Sequence, residues 1–215
     1  MSINEMIQAF LPKDKVFKQL LKALSEQTKK NCDLFAGANL CDRSLEELEN
    51  DQSVEEIVDE MIVQLSENFI TPFDREDIFA IVQNFENINQ NLRRSCQQIR
   101  LYQIDLQTLS EQISKITEAV SLLDEILVDL KNKQDLDTKL KIRKVSATLE
   151  DSIWHYDQAV AKSISSLIQE KSEDTNGLKV AELLKQIEIQ SSLLEIMKSI
   201  HRTAWIMQGV LIKYA

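Results

Sequence analysis

Apolar residues recur at steps of three and four through most of this chain, the spacing of one face of an α-helix. Residues 2–10 place Ile3, Met6, Ile7 and Phe10 on such a face, and Pro12 ends that short stretch. Asp14 is a candidate cap for a second helix carrying Val16, Leu20, Leu21, Leu24 and Phe35, with Gly37 and the polar run to Arg43 as its exit. Ser44 followed by Glu47 has the form of a capping box, which predicts one helix from there to about Asn68. Thr71-Pro72 breaks it, because proline removes a donor and pushes the preceding residue out of the helical region. Asp74 and Asp77 then read as N-cap and third residue of the next helix, with Phe73 and Ile78 at the staple positions around the cap.

From Ile78 a long stripe runs through Val82, Phe85, Ile88, Leu92, Cys96 and Ile99. After a faint boundary at Gln103 to Leu106, a second stripe runs Leu109, Ile113, Ile116, Val120, Leu123, Leu127 and Leu130. A polar linker, Lys131 to Asp137, precedes a third: Ile142, Val145, Leu149, Ile153, Tyr156, Val160, Ile164 and Leu167. Ser172 to Gly177 is the last break, and a final helix reaches about Lys213. Spacings between 3.5 and 3.6 predict helices that pack lengthwise. Six main helices in two groups of three is the economical arrangement.

Composition sharpens this to an all-α fold. The 215 residues include three glycines and two prolines, where ordinary usage gives roughly 15 and about 10. Sheet turns and phosphate-cradling loops need such residues, so Rossmann, P-loop and all-β folds are excluded. With 35 acidic against 25 basic side chains the formal charge is −10, which argues against nucleic acid and against loose adhesion to an anionic membrane. The apolar runs fall short of a transmembrane helix, and no signal peptide opens the sequence, so a cytoplasmic location is expected. Cys32, Cys41 and Cys96 lack metal-finger spacing and suit reduced thiols acting as small hydrophobes.

Chemistry-bearing motifs are sparse. His155 and His201 are preceded three residues earlier by Ser152 and Lys198, so the Glu-x-x-His of di-iron bundles is absent, and neither HExxH nor GxSxG occurs. The protein is not expected to be an enzyme. One anomaly stands out in the stripe Leu48, Asp51, Glu55, Val58, Ile62, Leu65, Phe69: two acids fall where hydrophobes belong, one turn apart. Inward carboxylates repel unless a cation, an arginine or water relieves them, and oxygen ligands suit magnesium, manganese or iron. A solvated helix face is the plainer reading of the same spacing.

The stretch Phe69-Ile70-Thr71-Pro72-Phe73-Asp74-Arg75-Glu76-Asp77-Ile78 closely resembles the signature of PhoU-like proteins, in the branch accessory to Pit-type inorganic phosphate transporters. A weaker echo follows in Arg100-Leu101-Tyr102, and the helix lengths agree over nearly the whole chain. The resemblance implies one domain over 1–215, built as two antiparallel three-helix bundles (about 14–104 and 105–215) after a short N-terminal helix. It also implies a cytoplasmic accessory or regulator of phosphate uptake, held at the inner face of the membrane by a transporter partner. Family members often carry E-x-x-x-D clusters that hold iron or another divalent metal. Here Phe79 follows DREDI in place of histidine, and the next acidic pattern is reduced to Phe85, Glu86, Asn87 and Gln90. The E-x-x-x-D pair falls on Asp51 and Glu55, or one turn later on Glu55 and Asp59. In the second half Trp154 stands four after Glu150, and Ser192 four after Glu188, so that cluster is lost. At most one weakly bound divalent ion is expected, on Asp51, Glu55, Asp59 and Glu86. Within the signature, Thr71, Pro72, Asp74, Arg75, Glu76 and Asp77 are read as capping and anchoring residues rather than catalytic ones. A metal-free helical interaction or scaffold protein unrelated to phosphate is the alternative, and a homo-oligomer stays open.

Overall fold

The computed structural model describes residues 13–38, 43–68, 71–72, 74–129, 136–169 and 177–213. Among these, 94% are helical and none is a strand. In chain order the helices are α1 (Lys13–Gly37), α2 (Arg43–Asn50), α3 (Ser53–Glu67), α4 (Arg75–Tyr102), α5 (Ser110–Asp129), α6 (Leu136–Gln169) and α7 (Gly177–Lys213), with a 3-10 turn at Leu106–Leu109. The amphipathic stretch at 2–10 lies outside the described residues, as do Cys41, Phe69, Ile70, Phe73, Leu130 and most of the two polar linkers.

Helix neighbours follow from which stripes face each other. The α4 stripe (Ile78, Val82, Phe85, Ile88, Leu92, Cys96, Ile99) is buried along its whole length. It packs against α1, α2 and α3 and, most extensively, against α7. The α1 stripe meets α2, α3, α4 and α5, and α5 in turn meets α6 and α7. Thus α1, α4, α7 and α5 form a central ring, with α2 and α3 laid on one side and α6 on the other. Polar pairs fix the antiparallel register of α4 and α7: Ser192 Oγ donates to Gln98 Oε1 at 2.9 Å, and Lys213 Nζ to Asp77 Oδ2 at 2.7 Å. On the α1–α5 side, Ser25 Oγ donates to Asp124 Oδ1 at 2.7 Å.

Four local expectations are corrected. The described part of the first helix begins at Lys13, which places Asp14 inside it instead of before it. The second begins at Arg43, one residue before Ser44, which places Ser44 inside the helix. The continuous helix expected from Ser44 to Asn68 is instead two helices, parted at Asp51 and Gln52. Past that break Val58 and Leu65 of the expected stripe are buried, but Val54 and Met61 complete the inner face and Ile62 is 44% exposed. Finally, Asp74 occupies the N-cap position of α4 but its side chain makes no capping bond. Its backbone carbonyl accepts from Ile78 N–H, while Oδ2 accepts from Lys213.

The faint boundary after α4 is a left-handed stop. Gln103 has φ 55° and ψ 45°, and its N–H and that of Ile104 both donate to the Ile99 carbonyl. A side chain with a Cβ is strained in that conformation and glycine is not. Gln103→Gly should therefore raise stability by about 0.5–1 kcal/mol, and Gln103→Val should lower it, as read from urea midpoints.

Candidate functional site

The joint between α2 and α3 organises a dense set of polar contacts. The sequence Asn50-Asp51-Gln52-Ser53 offers no glycine or proline, but an aspartate two residues before a serine can turn the backbone through its own carboxylate. That is what happens: Asp51 Oδ1 accepts from Ser53 N at 3.2 Å and from Ser53 Oγ at 2.6 Å. Its second oxygen faces α1 and accepts from Asn31 Nδ2 at 2.9 Å and Gln27 Nε2 at 3.3 Å. Burial pushes the Asp51 carboxyl up, yet the bonds from Ser53, Asn31 and Gln27 outweigh it and hold the group below its ordinary 3.8.

Behind Asp51 the network enters the core. Asn31 Nδ2 also donates to Asn89 Oδ1 at 3.0 Å, and Asn89 Nδ2 donates to Thr28 Oγ1 and to the Phe85 carbonyl, each at 2.8 Å. Asn31, Asn89 and Thr28 are all buried, so α1 and α4 are joined by a polar clamp inside an apolar interface. On the other side of the joint, Arg93 of α4 donates to the Asp51 carbonyl at 2.9 Å and pairs with the Glu55 carboxylate. Both Glu55 oxygens are out of solvent without a well-aligned hydrogen bond, so the guanidinium is their counter-charge. Two turns further along, Arg100 pairs with Glu49.

The four expected metal ligands are thus engaged separately. Asp51 turns the chain and reaches α1, Glu55 holds Arg93, Asp59 is exposed, and Glu86 accepts from Gln90 Nε2 at 2.9 Å on its own helix. No group of three or more His, Cys, Asp or Glu side chains gathers closely enough to hold a metal ion among the described residues. The cation beside the inward acids is an arginine from the neighbouring helix. Residue spacing did not reveal Arg93, Asn31 or Asn89. Their one visible signal is that Asn31 and Asn89 sit at stripe positions, three or four residues from Thr28, Phe35, Phe85 and Leu92.

The second half answers its charges in the same manner. Lys198 of α7 lies 3.6 Å from Asp157 of α6 and 3.1 Å from Glu195 on its own helix. Glu150, Trp154, His201 and Arg202 line the same shallow cleft. His155 is exposed, its ring set edge-on to Tyr156 at 5.6 Å and 80°. The thiols of Cys32 and Cys96 are buried, and burial, with Glu49 nearby, pushes Cys96 up to about 12. Both therefore stay protonated and serve as packing.

The signature segment is a mechanical joint. Thr71 and Pro72 are half-buried in the turn, and Arg75 donates back to the Asn68 carbonyl at the end of α3. Asp74 and Asp77 together take Lys213, tying the start of α4 to the end of α7, while Glu76 points to solvent in the first turn. No family model and no curated protein matches the chain. Among the described residues, no helix is long and apolar enough to cross a membrane.

The network also sets an acid dependence. Because the folded value of Asp51 lies below 3.8, its stabilisation is fully present above that pH and is lost as pH falls through the lowered folded value. Urea midpoints measured from pH 7 to pH 3 should show Asp51→Asn less stable than the parent at neutral pH, with the gap closing below 3.8. A gap that persists unchanged at the acid end would assign the effect to lost geometry instead of charge.

Proposed function

We propose that the protein is a PhoU-like accessory regulator of inorganic phosphate transport, acting by contact with a Pit-type transporter at the cytoplasmic face of a membrane. The observation that carries this is the ten-residue signature, Phe69 to Ile78, which falls at the turn between α3 and α4. The further reading of two antiparallel three-helix bundles, 14–104 and 105–215, belongs to the same proposal; it must accommodate the broad contact of α4 with α7, which joins the two halves. On this reading the protein catalyses nothing. Its described surface works by shape and charge, and its net charge of −10 suits basic loops of a partner better than anionic lipid.

A second reading, a metal-free helical scaffold unrelated to phosphate, is favoured by the engagement of Glu55 with Arg93. Affinity capture from native membranes, run with and without chelator, separates the two. Enrichment of a phosphate transporter in both arms is the expected result. Failure to enrich any phosphate transporter in either arm would leave only the scaffold. Enrichment confined to the chelator-free arm would make a divalent ion part of the contact.

A further inference from the structure

Both tryptophans of the chain, Trp154 and Trp205, are exposed, at 68% and 70%. Tryptophan is mostly covered in folded domains, so two open indoles on one face call for a reason. The contact of Asp157 with Lys198 fixes the register of α6 against α7. Trp154 then stands across from His201 and Arg202, with which it shares a shallow cleft, and Trp205 follows one turn along the same face of α7. Further down the pair, Ile212 lies two turns past Trp205 and Leu140 four turns before Trp154, and both are exposed.

Charge selects the occupant. From Thr138 to Leu149 of α6 the charged side chains are Lys139, Lys141, Arg143 and Lys144, and from Ile196 to Lys213 of α7 they are Lys198, Arg202 and Lys213. All 35 acids of the chain lie elsewhere. Neighbouring elements answer part of this charge: Glu125 and Glu118 of α5 meet Lys141 and Lys144, Asp74 and Asp77 meet Lys213, and Asp157 and Glu195 meet Lys198. Lys139 and Arg143 are exposed and make no ion pair among the described residues, and Arg202 reaches Glu195 only at 3.8 Å. Glu150 and Asp151 stand at the Trp154 end, so the end at Leu140 and Ile212 is the more basic. Charges beyond about 8 Å are screened at physiological ionic strength, so an object meeting this face meets its cations and not the net −10. Protein hot spots sit in well-packed pockets, whereas these indoles stand out from a shallow cleft. Open indoles flanked by Lys and Arg are instead the chemistry of a bilayer's headgroup layer. We infer that this face of α6 and α7 docks on an anionic phospholipid surface, with Trp154 and Trp205 in the headgroup layer and Lys139, Arg143 and Arg202 against phosphates. The acidic remainder then faces away from the lipid, and contact is oriented instead of loose.

The test uses the full chain with vesicles of phosphatidylcholine alone and with about a third of phosphatidylglycerol, read by co-sedimentation and by tryptophan emission. The chain has no tryptophan outside this face, so the emission reports on it directly. The vesicles hold no transporter, so the outcome is independent of the phosphate reading. Without lipid the indoles should be solvated and open to iodide quenching. Anionic vesicles should shift the emission to the blue and bind about 10–100-fold more tightly than phosphatidylcholine alone, a preference that added salt removes. Trp154→Ser with Trp205→Ser should abolish co-sedimentation with circular dichroism unchanged, since both side chains are already exposed. Lys139→Glu with Arg143→Glu should erase the preference for anionic lipid. Leu101→Ser, at a 75% exposed site on α4, should change nothing. Indoles shielded before any lipid is added would mean that another part of the chain or a second copy covers the face, and would overturn the inference. So would failure to bind either vesicle, which leaves the face to a protein partner. Equal binding to both vesicles, or binding lost equally in Leu101→Ser, would overturn it as well.

Discussion

Phe85→Ala should cost about 3–5 kcal/mol, the range for emptying a buried aromatic site, and should exceed the loss from Val82→Ala on the same stripe, where less volume is emptied. Phe85 is fully buried midway along α4, the helix that touches α1, α2, α3 and α7 together. Its carbonyl also receives Asn89 Nδ2, so a backbone adjustment to fill the cavity would disturb the polar clamp beside it. The surroundings can therefore relax little, which favours the upper part of the range. Urea unfolding with the slope held constant checks the figure. A loss below ~1.5 kcal/mol would mean that α4 repacks freely, against the fixed register described for it.

Asn89→Leu should cost about 3 kcal/mol although it makes the core more apolar. The change removes one of the two acceptors of Asn31 Nδ2, which keeps Asp51, and the donor to Thr28 Oγ1, which keeps the Leu24 carbonyl, so one N–H and one oxygen lone pair are left unpaired inside at roughly 1–3 kcal/mol each. Adding Thr28→Val to the same chain should recover part of that loss, because a group with no polar atom has nothing left unpaired. Strictly additive losses in this cycle would show that Thr28 and Asn89 do not act together. The contrast with Phe85 is useful: one site loses stability by becoming empty, the other by becoming greasy.

Much of the helical plan was legible because helical periodicity is a local property. The stripe from Ile78 to Ile99, the stop before Thr71-Pro72 and the end of the last helix at Lys213 all stand where the spacing places them. The α2–α3 break was not legible, since a continuous count of threes and fours passes straight through Asp51 and lands on Ile62. Only the carboxylate of Asp51, bonding two residues ahead to Ser53, distinguishes a turn from another helical residue. The partners of the inward acids were hidden for a different reason. Arg93 meets Glu55, and Lys213 meets Asp77 across 136 residues, through packing that no local pattern records. Asp74 shows the same limit: its position is the expected cap, yet its carboxylate is drawn away by Lys213.

The broad contact between α4 and α7 carries a consequence for how the chain is made. Gln98 and its partner Ser192 are 94 residues apart. At ~5–20 residues per second, translation leaves that side of α4 without its cover for on the order of 5–20 s. During that interval α1, α2 and α3 can already close over the other sides of α4, because those neighbours have been synthesised. The nascent chain therefore holds a half-finished bundle with one open seam, and α7 is the helix that seals it. Chains that stop before Gly177 would expose that seam permanently, and quality control in the cell would meet them as a distinct, sticky species.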